Sequence, residues 1–118
     1  MKPAAFEVRG ERIDGGVHAL AVSGELDMST APELESMLER AVEDAGSSVM
    51  LDLSACEFID STGIALIVRA WQRLDADGRR LALCCVNRQV RRLLEITGVE
   101  DSIPMHEDRG AALAELRG

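Results

Sequence analysis

The sequence has no tyrosine, one tryptophan and two phenylalanines, so aromatic residues make up 3% of the chain. Stacking platforms for single-stranded nucleic acid need aromatic faces, and this chain has almost none to offer. Lysine occurs once, at Lys2, which excludes any chemistry that needs an interior lysine, a P-loop or a receiver-type phosphoacceptor pocket included. Positive charge is scarce overall: 13 basic against 21 acidic residues leave a net charge of −8. That excess of acid argues against nucleic acid and against anionic lipid as partners. Apolar runs such as Ile64 to Val68 stop far short of the ~20 residues of a membrane span. Glu7, Arg9 and Glu11 break up any apolar stretch behind Lys2, so no secretory leader is expected and the cytoplasm is the expected location.

Three cysteines, an odd number without regular spacing, make no disulfide framework. Cys84 and Cys85, adjacent in an apolar run, are expected to point to opposite faces of a strand as small hydrophobes. No set of metal ligands appears at useful spacing, and no Gly-x-Ser-x-Gly elbow frames a hydrolase serine. His18 and His106 fall on expected strands and read as structural. Nothing in these features marks the chain as an enzyme.

What is present is 47% hydrophobic residues in 118, enough for one packed domain spanning 1–118. The pattern alternates strands and helices. A strand from Ala5 to Arg9 leads through an Asp14-Gly15-Gly16 turn into a second strand, Val17 to Ser23, apolar on both faces. After a loop from Gly24 to Ser29, Thr30 and Glu33 have capping-box spacing. Leu34, Met37, Leu38, Ala41, Val42 and Ala45 then form a helical stripe that stops at Gly46. Val49 to Leu53 reads as a buried strand, Ser54 to Asp60 as a loop, and Ser61 to Ala76 as a helix with Ile64, Ile67, Val68, Trp71 and either Leu74 or Asp75 inward. Leu81 to Val86 suits a central strand. A helix around Val90, Leu93 and Leu94 ends at Gly98, a short strand spans Ile103 to His106, and Asp108 caps a last helix. This order implies an α/β fold: a mixed, mostly parallel sheet with an N-terminal antiparallel hairpin, flanked by about four helices.

The stretch Phe58-Ile59-Asp60-Ser61-Thr62-Gly63 puts an acid, two hydroxyls and a glycine at a strand-to-helix junction. Capping by Asp60 or Ser61 explains these residues economically. Gly63 fits capping less well, because glycine weakens a first turn by ~1 kcal/mol, and it suggests the close approach of a backbone or a partner. On a second reading Ser61 is a phosphorylation switch. A helix start tolerates phosphate, and the added charge of about −1.5 to −2 repels a partner docked there. Gly24 to Thr30 reads either as a polar loop or as a segment placing Asp27 beside Ser61 at the carboxyl ends of the strands. Leu66 and Ala70 lie off the core stripe of their helix; Leu66 is either covered by a neighbouring helix or part of a docking patch. The arginines 79, 80, 88, 91 and 92 read as solvated surface or as a contact for an acidic partner.

The run FIDSTGIA, preceded by VMLDLSACE, and the run SGELDMSTAPEL together resemble the STAS domain family. Within it they are most similar to the anti-sigma factor antagonists, and the similarity continues weakly through NRQVRRLLEITGVEDSI. It covers roughly Val17 to His106. The resemblance implies a partner switch: the unphosphorylated form binds an anti-sigma factor that is also a serine kinase and frees the sigma factor, serine phosphorylation ends binding, and a phosphoserine phosphatase restores it. Ser61 matches the phosphoacceptor, Thr62 is a secondary acceptor, and Asp27 matches the acidic loop residue near it. Asp60, Ser61, Thr62, Gly63, Asp27 and Leu66 form the expected partner surface. No cofactor is implied for this chain, because ATP belongs to the partner kinase. Many relatives carry a proline within Asn87-Arg88-Gln89, and this chain does not. STAS-like chains also serve as accessory or scaffold subunits of transporters or stress-sensing complexes, which is the rival implication.

Overall fold

A computed structural model describes residues 6–13 and 16–117. The elements are β1 (Glu7–Ile13), β2 (Val17–Leu26), α1 (Ala31–Glu43), β3 (Ser48–Ile59), α2 (Ser61–Ala76), β4 (Leu81–Cys84), α3 (Arg88–Ile96), a 3-10 turn (Val99–Asp101), β5 (Met105–His106) and α4 (Arg109–Arg117). The sheet order is β1-β2-β3-β4-β5. β1 and β2 are antiparallel and every later pairing is parallel, as the alternating pattern requires.

The two faces of the sheet are covered unequally. Leu20, Val22, Leu51, Leu53 and Leu83 share one core with the buried side chains of α1, α2 and α3. Val17, Ala19, Met50, Ala82 and Cys84, which alternate with them, pack under Ala112 and Leu116 of α4. Period-two alternation on β2 therefore has an apolar partner on each side, which is why both of its faces are apolar.

Several boundaries differ from the sequence reading. β1 runs to Ile13 rather than stopping at Arg9, while Ala5 and the turn residues Asp14 and Gly15 lie outside the described residues. β2 continues through Gly24 to Leu26. β3 continues to Ile59, through the stretch expected to be a loop. The cause is a break in alternation: register shifts opposite Ala21/Ser23 and Gly24/Glu25 each leave β3 with an extra residue. Its buried positions thus fall three apart, at Leu53, Cys56 and Ile59, a spacing that does not read as a strand. Ala45 lies beyond the end of α1 and is exposed.

On α2 the inward side is centred on Gly63, Leu66, Ile67, Ala70 and Leu74, with Ile64, Val68 and Trp71 only half-buried. The buried stripe is thus turned towards α1. β4 ends at Cys84, and Cys85 adopts a left-handed φ of 60°. The two cysteines therefore do not point to opposite faces: both pack with the α4-side core.

Candidate functional site

β2 and β3 end together, with Leu26 paired to Ile59 and the Asp60 N–H donating to the Leu26 carbonyl at 3.1 Å. This pairing brings the β2–α1 loop against the start of α2. Asp60, in an extended conformation, is the N-cap. Its Oδ1 accepts from the Thr62 N–H at 2.9 Å and the Gly63 N–H at 3.1 Å, and its Oδ2 accepts from the Met28 N–H at 3.2 Å. One carboxylate thus satisfies the first turn of α2 and ties the neighbouring loop to it.

Capping by Asp60 frees Ser61 from that duty. Ser61 is the first residue of α2 and is exposed, and Thr62 is half-buried beside it. The first-turn donors of Thr62 and Gly63 already serve Asp60. A phosphate on Ser61 would keep the favourable end of the helix dipole while adding its charge next to the Asp60 carboxylate.

Gly63 is needed by this chain's own packing. A Cβ there would lie 2.7 Å from Leu26 Cγ and 2.9 Å from Ile59 Cγ1. The close approach inferred from this glycine is therefore the fold's own, and buried Gly63 offers no partner surface. Leu66 also leaves the expected docking surface: it is 5% exposed and packs in the α1–α2 core, so the neighbouring helix covers it.

Asp27 does not reach across to Ser61 through any hydrogen bond of the described residues. Its Oδ1 instead accepts from the Ser29 hydroxyl at 2.7 Å, the Ser29 N–H at 2.9 Å and the Thr30 N–H at 3.2 Å. The Ser29 hydroxyl bond, chiefly, holds its carboxyl below the usual range. The expected capping box is absent. Thr30 is itself helical and makes no cap bond, and its hydroxyl donates to the Glu25 carbonyl at 2.7 Å. Asp27 organises the loop, and Asp60 joins that loop to α2.

Three large apolar side chains are exposed among the described residues: Met28 at 76%, Phe58 at 43% and Ile96 at 72%. Met28 follows Asp27, Phe58 precedes Asp60 by two residues, and Ile96 lines a cavity with Phe58 and Leu93. Phe58, Leu93 and Ile96 thus share one surface groove along α3, while Met28 is exposed in the β2–α1 loop. The sequence reading missed both, since single exposed apolar residues carry no periodic signal.

Asn87 was missed as well. Its Oδ1 accepts from the Val90 N–H at 2.9 Å, capping α3, and its Nδ2 donates to the Cys56 carbonyl at 2.6 Å. β3 outruns β4 beyond the Asp52–Cys84 pair, and this amide satisfies one carbonyl along the unpaired stretch. An asparagine before an apolar-periodic segment is a cap signal; its second bond depends on tertiary structure. Cys56 is buried, with its thiol donating to the Phe58 carbonyl at 3.3 Å. Burial pushes that thiol above its ordinary range, which disfavours the reactive thiolate. Of the two histidines, His18 pairs with Asp44 at 2.6 Å and His106 with Glu115 at 3.0 Å, both as structural contacts. No helix among the described residues is long and apolar enough to cross a membrane.

Comparison with known proteins agrees with this fold. The STAS domain model matches residues 11–112. The anti-sigma-B factor antagonist of Staphylococcus aureus is 33% identical over 90 residues, covering 76% of this chain and 83% of that protein. The anti-sigma F factor antagonist of Paenibacillus polymyxa is 30% identical over 102 residues, covering 86% of this chain and 87% of that protein. Among solved structures, an anti-sigma factor antagonist from Mycobacterium paratuberculosis superposes with a TM-score of 0.89 at 30% identity, over 99% of this chain and 98% of that one. With its mixed sheet, its capped Asp60-Ser61 junction and these relatives, the chain belongs to the STAS domain family.

Proposed function

We propose that this chain is an anti-sigma factor antagonist that works by partner switching. In its unphosphorylated state it binds an anti-sigma factor carrying a serine kinase domain and so releases the sigma factor. Transfer of the ATP γ-phosphoryl group to the Ser61 oxygen, with loss of the hydroxyl proton, ends that binding. Hydrolysis by a phosphoserine phosphatase returns the hydroxyl and inorganic phosphate. ATP and the catalytic groups belong to the kinase; this chain acts as regulator and substrate, in the cytoplasm.

The observation that carries this reading is the division of labour at the α2 start: Asp60 makes the cap while Ser61 stands exposed. A phosphate of about −1.5 to −2 charges then alters the surface without taking a hydrogen bond from the fold. The exposed Met28 and Phe58 on either side of the junction supply apolar area for docking. The partner surface follows as Asp27, Asp60, Ser61 and Thr62 with Met28 and Phe58, Asp27 and Asp60 shaping it. Thr62, only half-exposed and one residue further into the helix, is the secondary acceptor.

The test is binding of Ser61→Asp and Ser61→Ala chains to the anti-sigma factor co-purified with the wild type. Ser61→Ala is expected to bind as wild type does and Ser61→Asp to lose binding, both with unchanged cooperative unfolding. Full binding by Ser61→Asp contradicts the reading.

A further inference from the structure

The α4 face of the sheet holds a cluster with no part in the switch. Asp52 on β3 pairs in register with Cys84 on β4. Adjacent residues on a regular strand point to opposite faces, but the left-handed φ of 60° at Cys85 turns its side chain back to the side of Cys84. A non-glycine residue in that region carries backbone strain, which is often kept for a functional reason. As a result a carboxylate oxygen of Asp52 and the sulfurs of Cys84 and Cys85 all lie within 4.8 Å of one another. Cys84 and Asp52 are well covered, and Cys85 is half-buried, which leaves one side of the cluster open.

The charges suit a cation. Arg109 of α4 donates from Nε to Asp52 Oδ2 at 3.0 Å, and the Ser54 N–H donates to Oδ1 at 2.9 Å, so the carboxylate is oriented from outside the cluster. With both thiols deprotonated, two thiolates, one carboxylate and one guanidinium sum to −2, which a divalent ion neutralises. Ligand atoms within 4.8 Å of one another are close enough to converge on one tetrahedral ion, whose Zn–S and Zn–O bonds are about 2.0–2.3 Å. Two sulfurs in three ligands favour a soft or borderline ion over magnesium or calcium. We propose that Asp52, Cys84 and Cys85 bind one thiophilic divalent cation, zinc or cadmium by type, with water completing the tetrahedron. Binding releases the two thiol protons to solvent; Cys84 holds its proton tightly, its thiol pushed up to about 12 by burial and by Cys85.

Cadmium titration of the reduced full-length chain tests this, read by the thiolate-to-cadmium charge-transfer band in the near ultraviolet. One equivalent should saturate the band and zinc should abolish it by competition. Cys56→Ser should leave it unchanged, Cys85→Ser should remove it, and Asp52→Asn should weaken binding by at least ~10-fold. In the wild type, bound cadmium should also protect Cys85 from alkylation, a readout that depends on no variant folding. The absence of a band in the wild type, an undiminished band in Cys85→Ser, or unchanged alkylation of Cys85 overturns the proposal.

Discussion

The β3–α2 and β4–α3 junctions begin in the same way and end differently. Each starts a helix from a residue whose side chain accepts first-turn N–H groups: Asp60 for α2, Asn87 for α3. Each cap also holds a neighbouring segment, Asp60 through the Met28 N–H and Asn87 through the Cys56 carbonyl. The first helical residue is Ser61 in one and Arg88 in the other, both exposed. Three residues past the cap stand buried Gly63 and buried Val90. The cap device is thus common architecture. What sets the first junction apart is a modifiable hydroxyl on a helix start drawn down so far onto Leu26 and Ile59 that no Cβ fits. A stability role would belong to both junctions; the proposed switch would belong to the first alone.

The largest expected effect breaks the first junction alone. Gly63→Ala places a methyl against Leu26 and Ile59 and should cost about 1–3 kcal/mol by overpacking, read as a drop in the urea midpoint. Asp60→Ala should follow, at ~1–2 kcal/mol, for the lost cap; hydrogen exchange should show the Met28 amide losing protection along with the first turn of α2. Asn87→Ala should cost ~1 kcal/mol. Asn87→Asp sharpens the comparison: it keeps the α3 cap but sets a carboxylate against the Cys56 carbonyl, so it should not recover wild-type stability. If Asn87→Asp is as stable as wild type, the Nδ2 bond contributes nothing.

Much of this was legible in the sequence. Gly63 and the Asp60-Ser61 pair stood out because residue types at a helix start are set by local backbone needs. The helix spans are legible because they follow a local period, but the inward face of α2 is turned from the expected stripe towards α1. The extension of β3 was hidden because two register shifts spaced its buried residues three apart. The burial of Leu66 was hidden because the position of α1 over α2 is tertiary information, and the meeting of Asp52 with Cys84 and Cys85 was hidden for the same reason.

A smaller effect separates the loop of Asp27 from the cap it feeds. Asp27 is held low chiefly by the Ser29 hydroxyl, and Asp44 is held low chiefly by His18. A depressed carboxyl stabilises the folded state in full above its unfolded value of 3.8 and loses that contribution as pH falls through its lower folded value. Stability should therefore fall on acidification below that point, and Asp27→Asn, which removes the titrating group, should flatten part of the decline and lower the neutral-pH urea midpoint slightly. The smallest effect belongs to Ser61→Ala. With Asp60 making the cap, stability should stay within about 0.5 kcal/mol of wild type; a loss of 1 kcal/mol or more would make Ser61 a structural residue.

The most direct measurement is intact-mass analysis with site mapping of the protein recovered from its native cells in several growth states. The account predicts a fraction carrying one phosphate, mapped to Ser61, that changes with growth state. No phosphate in any state, or phosphate only at other residues, would contradict it.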